Sequence, residues 1–168
     1  MRIVPVALSA LLLTAPAIAQ TPLPAIDITK TEIQAFLKTL PRDAVSDRPI
    51  RVVDVGGYKV GTYGVFRPKT ATQEAILHQT KVSEIYYMLE GAATLVTGGA
   101  LAQPTHDTTG LSGTSVRSAR IEGGVTRRVT PGDVVIIPGG TPHWWSVLEG
   151  DIAYLIFRPD PESKQQIK

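Results

Sequence analysis

GDVVIIPGGTPHWW, residues 132–145, is the stretch on which the fold turns. Val134 to Ile137 form an aliphatic run short enough for one strand, and Pro138-Gly139-Gly140 then forces a tight turn. His143 opens the next strand. A histidine placed just past a rigid turn is held firmly, as a metal ligand must be. A histidine followed by Trp144 and Trp145 also reads as core packing; the glycine and proline spacing ahead of it is what favours a ligand.

A second stretch, HQTKVSE (78–84), complements the first. Alternate residues of a strand share a face, so His78 and Thr80 are expected to point together. A turn around Lys81 to Ser83 returns the chain and puts Glu84 on the neighbouring strand, where imidazole and carboxylate can converge. Glu84 begins an apolar strand (EIYYML), and facing inward alone it would be an unpaired buried charge. It therefore needs either a metal partner or an outward face. If Glu84 faces inward, Tyr86 and Met88 do too, which sets a phenol beside the carboxylate. Trp145 shares the face of His143 and is a candidate cavity wall, although plain core packing suits both Tyr86 and Trp145.

Outward from these segments the texture is β. Runs rich in Val, Ile, Thr and Tyr suggest strands near 50–55, 58–67, 75–80, 84–90, 92–97, 116–121, 125–130, 133–137, 142–148 and 151–158. Many short strands at close spacing indicate a sandwich or closed barrel, not parallel βαβ units. One helix is expected over 29–40. Thr29 and Glu32 have capping-box spacing, and Ile33, Phe36, Leu37 and Leu40 form one apolar stripe that Pro41 ends. Residues 98–115 are polar and glycine-rich and read as a long loop carrying His106, a solvated residue or a lid acid or base. Of the pair Arg127-Arg128, alternation allows one to face inward and bind a carboxylate.

The chain has 168 residues, the size of one domain. Met1-Arg2, the apolar run Ile3 to Ala15 and the small-x-small pattern Ala17-Ile18-Ala19 fit a secretory signal peptide over 1–19, with a mature chain from about Gln20 and a periplasmic or secreted location. The run is too short for a stable membrane span. An arm and helix (20–50) and a barrel (51–168) complete the expected organisation. Without Arg2, sixteen basic side chains face fifteen acidic ones, so neither nucleic acid nor an anionic membrane is favoured as a partner. There is no cysteine, so any metal must bind through nitrogen and oxygen, with His78, His106 and His143 the only imidazoles.

The two segments resemble the paired motifs of the cupin superfamily, G-x5-H-x-H-x3-E-x6-G and G-x5-P-x-G-x2-H-x3-N. His78, Glu84 and Gly91 match the first, and Gly132, Pro138, Gly140 and His143 the second, over roughly residues 72–147. The resemblance implies an all-β, jelly-roll-like barrel (a double-stranded β-helix) in which His78, Glu84 and His143 bind one divalent metal ion: Fe, Mn, Ni or Zn. Thr72 and Val147 depart at structural positions. Thr80 stands where a second histidine is expected, which reduces the protein ligands to three.

Two imidazoles and one carboxylate still form the facial set used by non-haem iron. The lost ligand opens a position for substrate, with Thr80, Tyr86 and Trp145 as candidate contacts and Tyr86 and His106 as candidate proton carriers. The same loss is what a metal-free, ligand-binding barrel of the periplasm would show. The expected partner is a small-molecule substrate or ligand, with no nucleic acid and no membrane span in the mature chain; a homodimer is the one protein assembly considered.

Overall fold

The computed structural model describes residues 22–110 and 113–168. The expected signal peptide, 1–19, lies outside the described residues. Among those described, thirteen strands, numbered along the chain, follow a single α-helix (Lys30–Lys38). One sheet runs β1 (Ser46–Asp54), β2 (Lys59–Arg67), β13 (Ile152–Asp160), β4 (Glu84–Glu90), β11 (Val134–Ile137). The other runs β10 (Val125–Val129), β5 (Ala93–Thr97), β12 (His143–Leu148), β3 (Ala75–His78), β8 (Gly113–Ser118), β7 (His106–Gly110). A ribbon of β6 (Ala100–Ala102) and β9 (Arg120–Glu122) lies beside them. Every pairing is antiparallel. From β3 to β5 and again from β10 to β13 consecutive strands alternate between the two large sheets, the winding of a jelly-roll barrel.

The core follows from strand alternation. Tyr63 and Val65 of β2, Tyr86 and Met88 of β4, Tyr154 and Ile156 of β13, Leu95 of β5 and Trp145 of β12 all turn inward and are buried. β2 is buried on both faces, because the helix covers its outer side: Leu37 and Leu40 pack on Phe66 and Ala153. Gly64 lets the helix come this close, since a Cβ there would lie 3.0 Å from Leu37 and from Phe36. The capping box forms as expected, Thr29 and Glu32 each bonding the other's backbone N–H.

Two glycines of the motifs have separate reasons. Gly91 sits at φ +76°, and a Cβ would collide with the Asp151 carbonyl, so only glycine turns β4 into β5 beneath that loop. Gly132 also lies at positive φ, in the turn ahead of β11. The barrel begins earlier than residue 51: β1 starts at Ser46 and carries Pro49, which an edge strand tolerates.

Residues 98–115 are not one long loop. β6 pairs with β9, and β7 forms a hairpin with β8 at the sheet edge. An edge hairpin needs no continuous apolar face, so its polar composition concealed it. The last residues fold back under the barrel. Gln165 is fully buried, accepting from the Tyr63 hydroxyl at 2.7 Å and donating to the Arg158 carbonyl at 3.1 Å, while Lys168 and Val52 exchange backbone hydrogen bonds. No described helix is long and apolar enough to cross a membrane.

Candidate metal centre

His78 ends β3, Glu84 begins β4 and His143 begins β12, so three strand ends bring the three side chains together. Their ligating atoms all lie within 4.8 Å of one another. His78 Nε2 is 3.6 Å and His143 Nε2 3.3 Å from the Glu84 carboxylate. Glu84 and His143 are buried and His78 is half-buried.

Each member is oriented by a partner. His78 Nδ1 lies 2.6 Å from the Ser115 hydroxyl on the adjoining strand β8. His143 Nδ1 lies 3.0 Å from the Thr141 carbonyl oxygen. A carbonyl only accepts, so Nδ1 carries a proton, and Nε2 is the nitrogen turned towards Glu84. Glu84 accepts from Arg158 Nε at 2.7 Å on one oxygen and from the Tyr86 hydroxyl at 2.8 Å on the other. Arg158 is itself gripped in bidentate fashion by Asp47, at 3.1 and 2.6 Å, and lies over the Tyr63 ring.

The electrostatics agree with this arrangement. Burial alone would push the Glu84 carboxyl up, but the Arg158 guanidinium and the two imidazoles hold it well below the usual carboxylate range. Burial pushes His78 down to about 4, against the pull of Glu84. Burial and the Glu84 charge raise Tyr86 well above its ordinary value, so its phenol stays protonated and donates.

This donor set fits a divalent ion. His143 Nε2 stands 3.3 Å from a Glu84 oxygen, close enough for one ion to be shared between them. His78 is neutral near neutrality and therefore free to ligate. Glu84 has used two of its roughly four lone-pair positions. Two nitrogens and an oxygen with space beyond them suit Fe, Mn, Ni or Zn.

The triad borders a cavity of about 510 Å³, also lined by Asp47, Arg67, Glu74, Arg117 and Arg158. Tyr86 lines it, with its hydroxyl committed to Glu84. Trp145 does not. Its ring stacks on Tyr86 at 5.9 Å within the core, and Nε1 donates to the Tyr154 hydroxyl.

Thr80 is not on the cavity wall either. β3 ends at His78, so alternation lapses, and Thr80 lines a shallow cleft with Leu77, Lys81 and Glu162. Its Oγ1 is buried without a hydrogen-bond partner. His106 is on β7, paired with Arg117, and Thr108 and Gly110 of the same strand line the cavity. Neither arginine of the 127–128 pair faces inward: Arg127 donates to Thr97 and Arg128 forms an exposed fork with Glu149.

Sequence reasoning missed Asp47, Arg67, Ser115 and Arg158. Arg158 had a readable sign: it is the one charge in the run IAYLIFR, two residues beyond the inward Ile156.

The metal-free protein is expected to lose stability on acidification between pH 6.5 and about 4. In that window the unfolded chain has protonated His78 and the folded chain has not, so unfolding takes up a proton and stability falls as pH falls. At about 1.4 kcal/mol per unit, the loss reaches about 3 kcal/mol. Urea midpoints measured across this range should show a His78-dependent slope that His78→Gln flattens.

No family model matches the chain, and no curated protein sequence does. Solved structures do resemble it. Ectoine synthase from P. lautus matches at 14% identity and TM-score 0.49, covering 83% of this chain and 81% of that one. The DMSP lyase DddQ from Ruegeria pomeroyi DSS-3 matches at 17% and 0.44, covering 84% and 78%. The EutQ protein of Clostridium difficile matches at 13% and 0.42, covering 71% of this chain and 64% of EutQ, less than two thirds of its length. At such identities likeness concerns the fold alone, which this chain's own strand order already shows.

Proposed function

We propose that this barrel of the cupin fold is an exported, metal-dependent enzyme acting on a small molecule, by oxygenase, isomerase or lyase chemistry at one divalent ion. The observation that carries the reading is the meeting of two fixed imidazole nitrogens and one buried carboxylate on the wall of a substrate-sized cavity.

His78, Glu84 and His143 would hold the ion, which when bound supplies Lewis-acid polarisation of a carbonyl or enolate oxygen. The chain's own residues do the rest. Ser115 and the Thr141 carbonyl keep the imidazoles turned to the site. Tyr86 keeps its proton and donates a hydrogen bond to Glu84, whose anionic form the Arg158 guanidinium secures. Val45, Ile76 and Ile156 supply apolar wall to a cavity otherwise rich in charge.

One observation favours a second reading, a barrel that binds a small molecule without catalysis. Arg158 already compensates Glu84, so the carboxylate can remain buried without a metal. Elemental analysis after purification without chelator, and after identical reconstitution with Fe, Mn, Ni or Zn, separates the two. The enzyme reading expects a stoichiometric ion with at least one metal; substoichiometric metal with all four would sink it and leave the binding barrel. Export is supported by the pattern of residues 1–19. N-terminal analysis of protein from its native host should give a mature start near Gln20, and an intact Met1 would remove that part.

A further inference from the structure

The cavity holds three arginines and three carboxylates, yet they do not pair evenly. Asp47 and Glu84 both bind Arg158, at 2.6 and 2.7 Å, and Glu74 lies 3.7 Å from Arg117. Every acidic side chain of the wall is thus engaged by an arginine other than Arg67. Arg67 has no carboxylate within ion-pair distance among the described residues. Its Nε donates to the Tyr154 hydroxyl at 2.9 Å and its Nη1 to the Gln73 side chain at 2.8 Å, both neutral acceptors.

These bonds hold the guanidinium plane still. Tyr154 is braced in turn by Trp145 Nε1 at 3.1 Å, and Gln73 accepts on its backbone oxygen from Trp144 Nε1 at 2.9 Å. Nη2 makes no hydrogen bond to any described residue. A partly buried, braced guanidinium with an open donor edge and no carboxylate in contact is built to receive an anion.

We propose that Arg67 anchors a carboxylate of the molecule that occupies this cavity, so that the ligand class is a small carboxylic acid. The inference rests on the cavity being the substrate site, but it does not require the ion. A planar carboxylate matches the guanidinium fork, and an uncharged amide of the same shape leaves the charge unanswered.

The test is binding of short aliphatic and aromatic mono- and dicarboxylates, each beside its matching amide, to the purified full chain by calorimetry and thermal shift. Elemental analysis is run on the same samples. The expected result is that acids bind and the amides do not. Arg67→Gln should lower acid affinity by roughly 10- to 100-fold, the loss of a charged hydrogen bond. Arg67→Lys should retain part of it, and both variants should keep the wild-type metal content.

Amides binding as well as acids, no acid binding at all, or full affinity in Arg67→Gln would each overturn the proposal. If Arg67→Gln does not fold, Arg67→Lys and the comparison of acids with amides on wild type still decide. The two readings fail separately. A metal-loaded protein that binds no carboxylate ends this inference and spares the metal centre. A metal-free protein that binds carboxylates through Arg67 does the reverse.

Discussion

Arg158→Leu is expected to lower the unfolding free energy of the metal-free protein by about 3–5 kcal/mol, the range for removing one partner of a buried ion pair. Arg158 is 3% exposed, and its guanidinium spans two carboxylates, Glu84 on one edge and Asp47 on the other. Leucine keeps the apolar volume but leaves the Glu84 charge enclosed with only the Tyr86 hydroxyl and the imidazoles to solvate it. The expected rescue is what makes the result specific. A divalent ion bound beside Glu84 replaces the lost positive charge, so added Zn or Mn should raise the melting temperature of Arg158→Leu more than that of wild type. Urea unfolding with and without metal measures both effects. A variant within about 1 kcal/mol of wild type, the usual range of an exposed pair, would show that Arg158 does not compensate Glu84. Equal metal responses in the two proteins would show that guanidinium and ion do not share that role.

His143→Ala is expected to abolish metal retention, with affinity falling by more than about 100-fold, beyond what the loss of a residue orienting a ligand causes. Its imidazole is the member whose tautomer is set by a backbone carbonyl, which leaves Nε2 no function in the fold except to face Glu84. Alanine at this position removes the edge contact of His143 with Tyr86 at 6.2 Å but keeps the packing of Tyr86 with Trp145 and Tyr154, which lie deeper in the core. The variant should therefore fold, bind no metal under conditions that load the wild type, and lose any metal-dependent turnover in step. Elemental analysis paired with near-ultraviolet circular dichroism checks this. Stoichiometric metal in a folded His143→Ala protein would remove the three-residue site.

Each half of the candidate metal centre was legible in the sequence because it is made locally, and the resemblance to paired motifs implied that the halves meet, which they do through the pairing of β12 with β3. Pro138 and Gly140 set the turn that delivers His143, and the short span from His78 to Glu84 sets two neighbouring strand ends. Gly91 carried the same kind of information, a backbone position that admits no side chain. The counter-charges were not legible, because Arg158 meets Glu84 and Asp47 only through the registers of β13 with β4 and of β1 with β2. No spacing along the chain encodes those registers. Thr80 was misplaced for a different reason: alternation was carried past the end of a strand that stops at His78. The 98–115 segment was read as loop because composition reports burial, and an edge hairpin is scarcely buried.

The clasp around Arg158 joins residues far apart along the chain: Arg158 lies 111 positions from Asp47 and 74 from Glu84, and Gln165 lies 102 from Tyr63. During synthesis, Asp47, Glu84 and His143 all leave the ribosome before the residue that neutralises the carboxylates. The nascent barrel lacks its central strand, β13, for most of its translation, and both neighbours, β2 and β4, present open edges until that strand arrives. Arg158 therefore cannot compensate Glu84 and Asp47 until β13 has been made and has joined the sheet. A chain stalled short of β13 should remain protease-sensitive throughout, with no native-like sub-barrel accumulating on the ribosome.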